Sequence, residues 1–224
     1  MGRGPVGRYG PQSHPEGFVR MQAQAGAAIA AKVAYLAGKL GPVIGEMQYD
    51  ESYFFSQALG AAMIYWSPDT AGTGAHVVYG EIRNRYDNLT GPHGYLGLPL
   101  LDEMDTYDGA RRVSYFQHGY ITWNRSGPHG GYATDEGTPG WEYIRGFFSA
   151  EDRRHMLYGS PDGTPVSPLD LDDYDTVNSM AAAIFDRVRR PYDDKLRMPP
   201  PPDPQWPAEL VDSFRAWMIC GKPR

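Results

Sequence analysis

The residues best suited to chemistry in this sequence are aromatic side chains that recur close to histidine, asparagine and glycine. Flat indole and phenol rings offer apolar faces on which a sugar ring can stack, and neighbouring imidazole or amide groups supply the hydrogen bonds that fix its orientation. These residue types predict a carbohydrate-binding surface. We identify six candidate ligand-binding residues: Tyr65, Trp66, His76, Trp123, Asn124 and His129.

The same residues have a purely architectural interpretation, which the sequence leaves open. Aromatic residues spaced as in a strand usually pack inward, so Trp66 and Trp123 could each form the core of a strand. A histidine that recurs beside glycine often holds a turn by bonding to its backbone, which is the alternative for His76 and His129.

The histidines also allow an enzymatic interpretation. His118 and His129, together with Asp102, Glu103 or Asp105, are of the donor types that hold a mononuclear metal. The sequence contains no ligand spacing such as H-E-x-x-H, no G-x-S-x-G nucleophile elbow and no phosphate loop. We therefore predict no metal, no cofactor and no catalytic residue, and we favour a binding protein over an enzyme.

The candidate residues belong to an internal repeat. Leu36-Ala37-Gly38-x-x-Gly41 recurs 53 residues later as Leu89-Thr90-Gly91-x-x-Gly94, and Gly74-Ala75-His76 recurs 53 residues later as Gly127-Pro128-His129. Between these anchors, Ile64-Tyr65-Trp66 corresponds to Ile121-Thr122-Trp123 at an offset of 57. The two copies therefore differ in length only between their anchors, where insertions belong in loops.

Over residues 36 to 132, these motifs resemble the LGFP repeat family. The core of that repeat, L-G-F/Y/L-P, corresponds to Leu96-Gly97-Leu98-Pro99, and the segment from Phe116 to Trp123 follows its F-x-x-G-x-I-x-W pattern. Proteins with this repeat are often associated with the cell wall of actinobacteria. The resemblance implies that the chain binds a glycan or a cell-envelope polysaccharide.

The elements that must position these residues are short. The 27 glycines, 20 prolines and 16 tyrosines favour many turns and short elements with aromatic faces. Aromatic runs predict strands at residues 53–55, 63–66, 114–116 and 120–123. Helical patterns cover Met21–Leu40, a short segment after an N-cap at Ser149, Asp175–Arg190 and Pro207–Ile219. The predicted fold class is α+β, with short β-hairpins in Gly-rich repeats, an N-terminal Ala-rich helix and C-terminal helices.

These patterns suggest four segments along the chain. Residues 1–17 resemble a flexible arm, and residues 18–132 form the two-unit repeat domain. Residues 133–171 are rich in Gly, Pro and Asp, which is typical of a loop or linker. Residues 172–224 form a helical tail.

The tail carries a second resemblance. Its Met198-Pro199-Pro200, Trp206-Pro207 and Phe214-x-x-Trp217-x-x-x-Gly221 motifs resemble the end of a cytochrome-c-like segment without haem, since the single Cys220 excludes C-x-x-C-H attachment. Four apolar residues at helical spacing suggest docking to a partner domain or subunit: Trp206, Leu210, Phe214 and Trp217. One alternative function is therefore an accessory or docking subunit of a biosynthetic or redox enzyme, or a homo-oligomer formed through the tail. A second is a stand-alone enzyme that uses His76, His118 or His129.

Charge and hydropathy indicate which classes of partner the protein is suited to bind and whether it is suited to enter a membrane. The net charge of −6 disfavours nucleic acid, because an acidic chain repels the phosphate backbone. The most apolar stretch, Ala25–Leu40, is too short and too charged to span a membrane. The first twenty residues lack an apolar signal-peptide region, so we predict a cytoplasmic protein unless it is exported by another route.

Overall fold

The computed structural model of the chain describes residues 15–36, 39–58, 62–126, 131–158, 169–200 and 202–224. They form six α-helices and eight strands: α1 (Pro15–Tyr35), β1 (Val43–Asp50), β2 (Tyr53–Ala58), β3 (Ala62–Trp66), β4 (His76–Val78), α2 (Gly80–Asn88), β5 (Met104–Asp105), β6 (Arg111–Phe116), β7 (Gly119–Asn124), β8 (Tyr132–Gly137), α3 (Trp141–Arg145), α4 (Ala150–Tyr158), α5 (Tyr174–Val188) and α6 (Ala208–Ile219). This arrangement confirms the α+β class.

The strands form two four-stranded sheets, ordered β1-β2-β3-β4 and β5-β6-β7-β8. The first sheet is antiparallel, and its register places Phe55 opposite Tyr65 and Tyr65 opposite His76. The two tryptophans that anchor the repeat lie on equivalent strands, Trp66 on β3 and Trp123 on β7. Each belongs to a run of three strands followed by a helix, β2-β3-β4-α2 and β6-β7-β8-α3.

The chain divides into two compact units. The first contains residues 1–104, 113–117 and 121–135, and the second contains residues 105–112, 118–120 and 136–224. The strands of the second sheet thus contribute residues to both units.

The first unit covers both faces of its β1–β4 sheet. On one face, Met21, Ala25 and Ile29 of α1 pack with Phe54, Ile64 and Trp66. On the other face, Tyr65 packs with a second cluster that includes Tyr86 of α2, Leu96, Leu98 and Phe116. Because alternate residues of a strand point to opposite faces, neighbouring Tyr65 and Trp66 are buried in different clusters.

The second unit is a helical core. The spacing of Val177, Ala181, Ile184 and Val188 predicted the buried stripe of α5, and all four are buried there. Asp173 caps this helix, because its carboxylate accepts a hydrogen bond from the Thr176 N–H at 2.8 Å. The predicted N-cap of α4 is also confirmed: Ser149 Oγ accepts a hydrogen bond from the Asp152 N–H at 3.0 Å.

The aromatic stripe of the tail is buried inside the second unit itself. Phe214 and Trp217 of α6 are fully buried with Trp206, and they pack against residues of α3 and α5. The indole N–H of Trp217 donates to the Pro223 carbonyl oxygen at 3.0 Å. The surface predicted to dock on a partner is therefore occupied by the chain's own helices. Secondary structure also lies within the predicted linker, where the structure shows β8, α3 and α4.

Candidate ligand-binding site

The candidate residues of the first repeat copy lie in the core of the first unit. Tyr65, Trp66 and His76 are only 5%, 4% and 3% exposed. Tyr65 contacts the Tyr86 ring edge-on, and Trp66 contacts Phe54, with ring centroids about 6 Å apart in both pairs. These rings offer no accessible face to a ligand, so ligand contact in this unit must come from other residues.

His76 is held in a polar network. The Thr73 hydroxyl donates its hydrogen to the Thr70 carbonyl oxygen at 2.8 Å, so it accepts the bond from His76 Nε2, also at 2.8 Å. The other ring nitrogen, Nδ1, lies 3.6 Å from Asp102 Oδ1. The imidazole therefore connects the turn before β4 to the segment that contains Asp102.

Asp102 joins three segments of the first unit. Its carboxylate accepts a bond from the Val77 N–H of β4 at 3.0 Å and contacts Lys32 Nζ of α1 at 2.5 Å. Burial by itself would raise the pKa of this carboxyl, but its interactions with His76, Lys32 and the Val77 N–H outweigh burial and lower the pKa to about 2.

This lowered pKa predicts an acid-sensitive contribution to stability. Because the folded-state pKa of Asp102 lies below the unfolded value, its contribution is complete above about pH 4 and is lost as the pH falls toward 2. We expect Asp102→Asn to lower the free energy of unfolding at pH 7 by about 1–2 kcal/mol and to flatten its dependence on pH between 4 and 2. Urea unfolding across this pH range measures both effects.

Asp69→Asn is the matched control, because it makes the same chemical change at an exposed position of the same unit. We expect it to change stability by less than about 0.5 kcal/mol. A pH dependence that is identical in wild type and Asp102→Asn would contradict the assigned network.

The candidates of the second copy lie nearer the surface. Trp123 is half-buried at the margin of the core, and the Arg125 guanidinium lies 5.5 Å from its ring centroid. Its indole nitrogen is buried without a hydrogen-bond partner among the described residues. Asn124 Oδ1 accepts the Ser126 N–H at 2.9 Å and so tightens the turn after β7. His129 lies outside the described residues.

Trp123 also depends on a close approach of the backbone. A Cβ atom at Gly131 would lie 2.7 Å from Trp123 Nε1 and 2.7 Å from the Asn124 carbonyl oxygen. Only glycine fits between these two atoms, so the start of β8 is pressed against the edge of the indole ring.

One surface of the first unit was not identified from the sequence. In β8, Ala133 packs against the core, whereas Tyr132 and Thr134 are exposed, with 52% of Tyr132 accessible. In β7, Ile121 and Trp123 pack toward the same core, which places Thr122 and Asn124 on the opposite side. The two threonine hydroxyls lie 3.0 Å apart. We call this surface the Tyr132 face; it comprises the exposed Tyr132 and Thr134 and the half-buried Asn124, whereas Thr122 is only 7% exposed and supports Thr134 through the hydroxyl contact.

The inner side of β8 is anchored by Asp135. Its Oδ1 contacts Arg85 Nε of α2 at 2.5 Å, and its Oδ2 accepts the Tyr95 hydroxyl at 2.5 Å. Burial opposes the charge on this carboxylate, but the bonds from Tyr95 and Arg85 lower its pKa overall. These contacts hold strand β8 against the repeat, so the strand that carries Tyr132 has a fixed position within the first unit. The alternation of Tyr132-Ala133-Thr134-Asp135 is the sequence signal that identifies it.

The Leu96-Gly97-Leu98-Pro99 motif has a structural role. Leu96 and Leu98 are buried in the cluster beneath the β1–β4 sheet. The buried Tyr86 hydroxyl donates to the Gly97 carbonyl oxygen at 2.6 Å, and the Leu98 N–H donates to Gln117 Oε1 at 2.9 Å. The motif therefore links α2 to the turn between β6 and β7.

Metal-ligand groups do not converge in the described ranges. No group of three or more His, Cys, Asp or Glu side chains within them is arranged to hold a metal ion. His118 is exposed and belongs to the second unit, whereas His76 is buried and belongs to the first. In the part of the chain that the structure describes, no helix is long and apolar enough to cross a membrane.

Comparison with known families identifies the repeat. Residues 55–94 match the LGFP repeat family, so the chain carries an LGFP repeat in this segment. The matched segment begins in β2, includes β3, β4 and α2, and ends at Gly94. Leu89–Gly94, which the internal alignment places at the start of the second copy, thus closes the matched repeat. The presence of this repeat is compatible with a non-catalytic protein associated with the cell envelope.

The comparison with curated proteins adds no relative, because no curated protein matches the chain. The family match does not extend to the C-terminal tail, whose resemblance to a cytochrome-c-like segment has no support.

Proposed function

We propose that this LGFP-repeat chain is a non-catalytic, cell-envelope-associated protein whose first unit binds a glycan through the Tyr132 face. The repeat supplies the scaffold, because its aromatic residues Tyr65, Trp66 and Tyr86 are buried in the core. The glycan then binds to the strands that follow the matched segment.

The observation that carries this proposal is the exposed ring of Tyr132 beside a row of small polar groups. A half-exposed phenol offers a flat apolar face for stacking against the C–H face of a sugar ring. The exposed hydroxyl of Thr134 and the half-buried amide of Asn124 can both donate and accept hydrogen bonds, as sugar hydroxyls require.

The support beneath the face also favours binding. A binding side chain on a paired and anchored strand loses less conformational freedom when a ligand arrives. Strand β8 is held on one side by the contact between the Thr122 and Thr134 hydroxyls and on its inner side by Asp135 with Arg85 and Tyr95. Of the candidates predicted from the sequence, Asn124 belongs to this face, whereas Trp123 packs toward the core on the other side of β7.

The experiment that tests the proposal is retention of the full chain on insoluble actinobacterial cell wall, followed by a glycan array to identify the sugar. We expect wild type to be retained. Tyr132→Ala should weaken binding about 5- to 10-fold, because loss of one stacked ring costs about 1–1.5 kcal/mol. Because Tyr132 is exposed, the substitution should leave the melting temperature nearly unchanged.

Tyr35→Ala is the matched control, since Tyr35 is a 79% exposed tyrosine on α1 of the same unit. It should bind like wild type. Absence of retention in wild type, or equal losses in both tyrosine variants, would overturn the assignment of glycan binding to the Tyr132 face.

A further inference from the structure

The second unit contains a cavity lined by arginines. It has a volume of about 410 Å³, and its charged and aromatic lining residues are Tyr107, Phe185, Asp186, Arg189, Arg190 and Arg215. This volume lies within the range of small-molecule sites. We call it the arginine cavity.

The charge of this lining differs from that of the whole chain. Three guanidinium groups and one carboxylate give the lining a net charge of +2, whereas the chain has a net charge of −6. Arginine stays charged at any physiological pH, so the excess of positive charge is permanent.

Nearby carboxylates neutralise two of the three arginines. Arg190 contacts Asp186 at 2.7 Å and Asp194 at 2.9 Å, and Arg215 contacts Asp212 at 2.5 Å. Because the carboxylates of Asp186 and Asp194 both lie within hydrogen-bond distance of Arg190, its guanidinium is held in a fixed orientation at the cavity wall.

Arg189 is differently placed. Its contact with Asp186 is 3.4 Å long, and 54% of its side chain is exposed. One side of the guanidinium is covered by Phe185, whose ring centroid lies 5.6 Å away. The Tyr107 hydroxyl donates to the Arg189 carbonyl oxygen at 2.9 Å and so fixes the backbone from which this side chain extends. Arg189 therefore lines the cavity with a half-exposed guanidinium whose contact with the Asp186 carboxylate is long.

We propose that the arginine cavity binds a small organic phosphate, with Arg189 as the principal phosphate ligand. A phosphate monoester carries between about −1.5 and −2 charges at pH 7, and Arg189 is the most exposed of the three guanidinium groups in the lining. Arginine binds phosphate oxygens with two parallel N–H donors, and the rings of Phe185 and Tyr107 provide an apolar wall for the organic group. This site is independent of glycan binding, because all its residues belong to the second unit.

The test uses the full chain with three probes: phenyl phosphate, inorganic phosphate and benzoate. We expect calorimetric titration at low salt to rank them in that order, since phenyl phosphate combines the dianion with an apolar ring. Arg189→Gln should weaken binding of phenyl phosphate at least about 10-fold, and Arg189→Lys should lose part of that affinity because ammonium cannot bind in a bidentate manner.

Arg154→Gln is the matched control. It removes the same charge from an exposed arginine of the second unit that pairs with Glu151 on α4, outside the cavity lining. It should bind all three probes like wild type. Equal weakening in Arg154→Gln and Arg189→Gln would show general charge attraction only, and failure of wild type to bind either phosphate would overturn the proposal. Benzoate binding as tightly as phenyl phosphate would reassign the cavity to carboxylates.

Discussion

Replacing Arg197 with alanine should lower the free energy of unfolding of the second unit by about 4 kcal/mol. Arg197 is only 1% exposed, and its guanidinium is bonded to backbone carbonyl oxygens rather than to a carboxylate. Nε donates to the Tyr192 oxygen at 2.9 Å, Nη2 donates to the Asp203 oxygen at 2.6 Å, and Nη1 donates to the Pro199 oxygen. Hydrogen bonds that involve a charged group contribute about 1.5–3 kcal/mol each, and truncation leaves buried acceptors without donors.

The same substitution also removes a cation–π interaction, because the Arg197 guanidinium lies 4.5 Å from the centroid of the Tyr192 ring. Arg197→Lys should recover little of the lost stability. A single ammonium group cannot donate to three carbonyl oxygens that lie in different directions, as the rigid guanidinium group does. Chemical denaturation followed by tryptophan fluorescence measures the effect, because Trp141, Trp206 and Trp217 all lie in the core of this unit.

Arg187→Ala provides the comparison within the same unit. Arg187 makes one exposed hydrogen bond, from Nη1 to the Leu196 carbonyl oxygen at 3.0 Å, so we expect a loss below about 1 kcal/mol. If Arg197→Ala cost no more than Arg187→Ala, the three carbonyl contacts would not be a source of stability.

The second large effect is expected at Gly94, the last residue of the matched repeat. A Cβ atom there would lie 1.9 Å from the Leu89 carbonyl oxygen and 3.0 Å from its carbonyl carbon. Since these are backbone atoms, a rotamer change cannot relieve the clash, and the turn between α2 and Leu96 must move. We expect Gly94→Ala to destabilise the first unit by about 3 kcal/mol, at the upper end of the cost of overpacking. Thermal unfolding of the first unit measures this loss.

Gly72→Ala is the control for Gly94→Ala. A Cβ atom at Gly72 meets nothing within 4 Å, and the residue lies in a solvent-exposed turn of the same unit. We expect a change of less than about 1 kcal/mol. Similar losses in the two variants would mean that the turn at Gly94 adapts more readily than its geometry indicates.

Much of the secondary structure could be predicted because its signals are local. The 3.6-residue spacing of Val177, Ala181, Ile184 and Val188 identifies the buried side of α5 without knowledge of what covers it. Dense aromatic and β-branched runs identify β3 and β7 in the same way. The LGFP resemblance could also be detected from the sequence, because a motif such as Leu96-Gly97-Leu98-Pro99 is continuous in the chain.

The binding site was harder to predict from the sequence, because residue type does not reveal which side of a strand is covered. Tyr65 and Trp66 have the chemistry of sugar-stacking residues, but both sides of their sheet are buried, one by α1 and the other by the cluster around Tyr86. Tyr132 is exposed because Ala133, its neighbour on β8, packs against the core, which turns Tyr132 to the uncovered side of the strand.

The sequence by itself determined four of the six described helices, half of the eight described strands and the repeat that the family comparison matched, because each depends on residues close together in the chain. Only the tertiary structure decided which aromatic residues are accessible, that the tail's stripe packs on its own helices, and that Tyr107, Arg189 and Arg215 meet at one cavity. The physical reason is that burial and charge pairing depend on which distant segments pack together, and a local pattern does not contain that information.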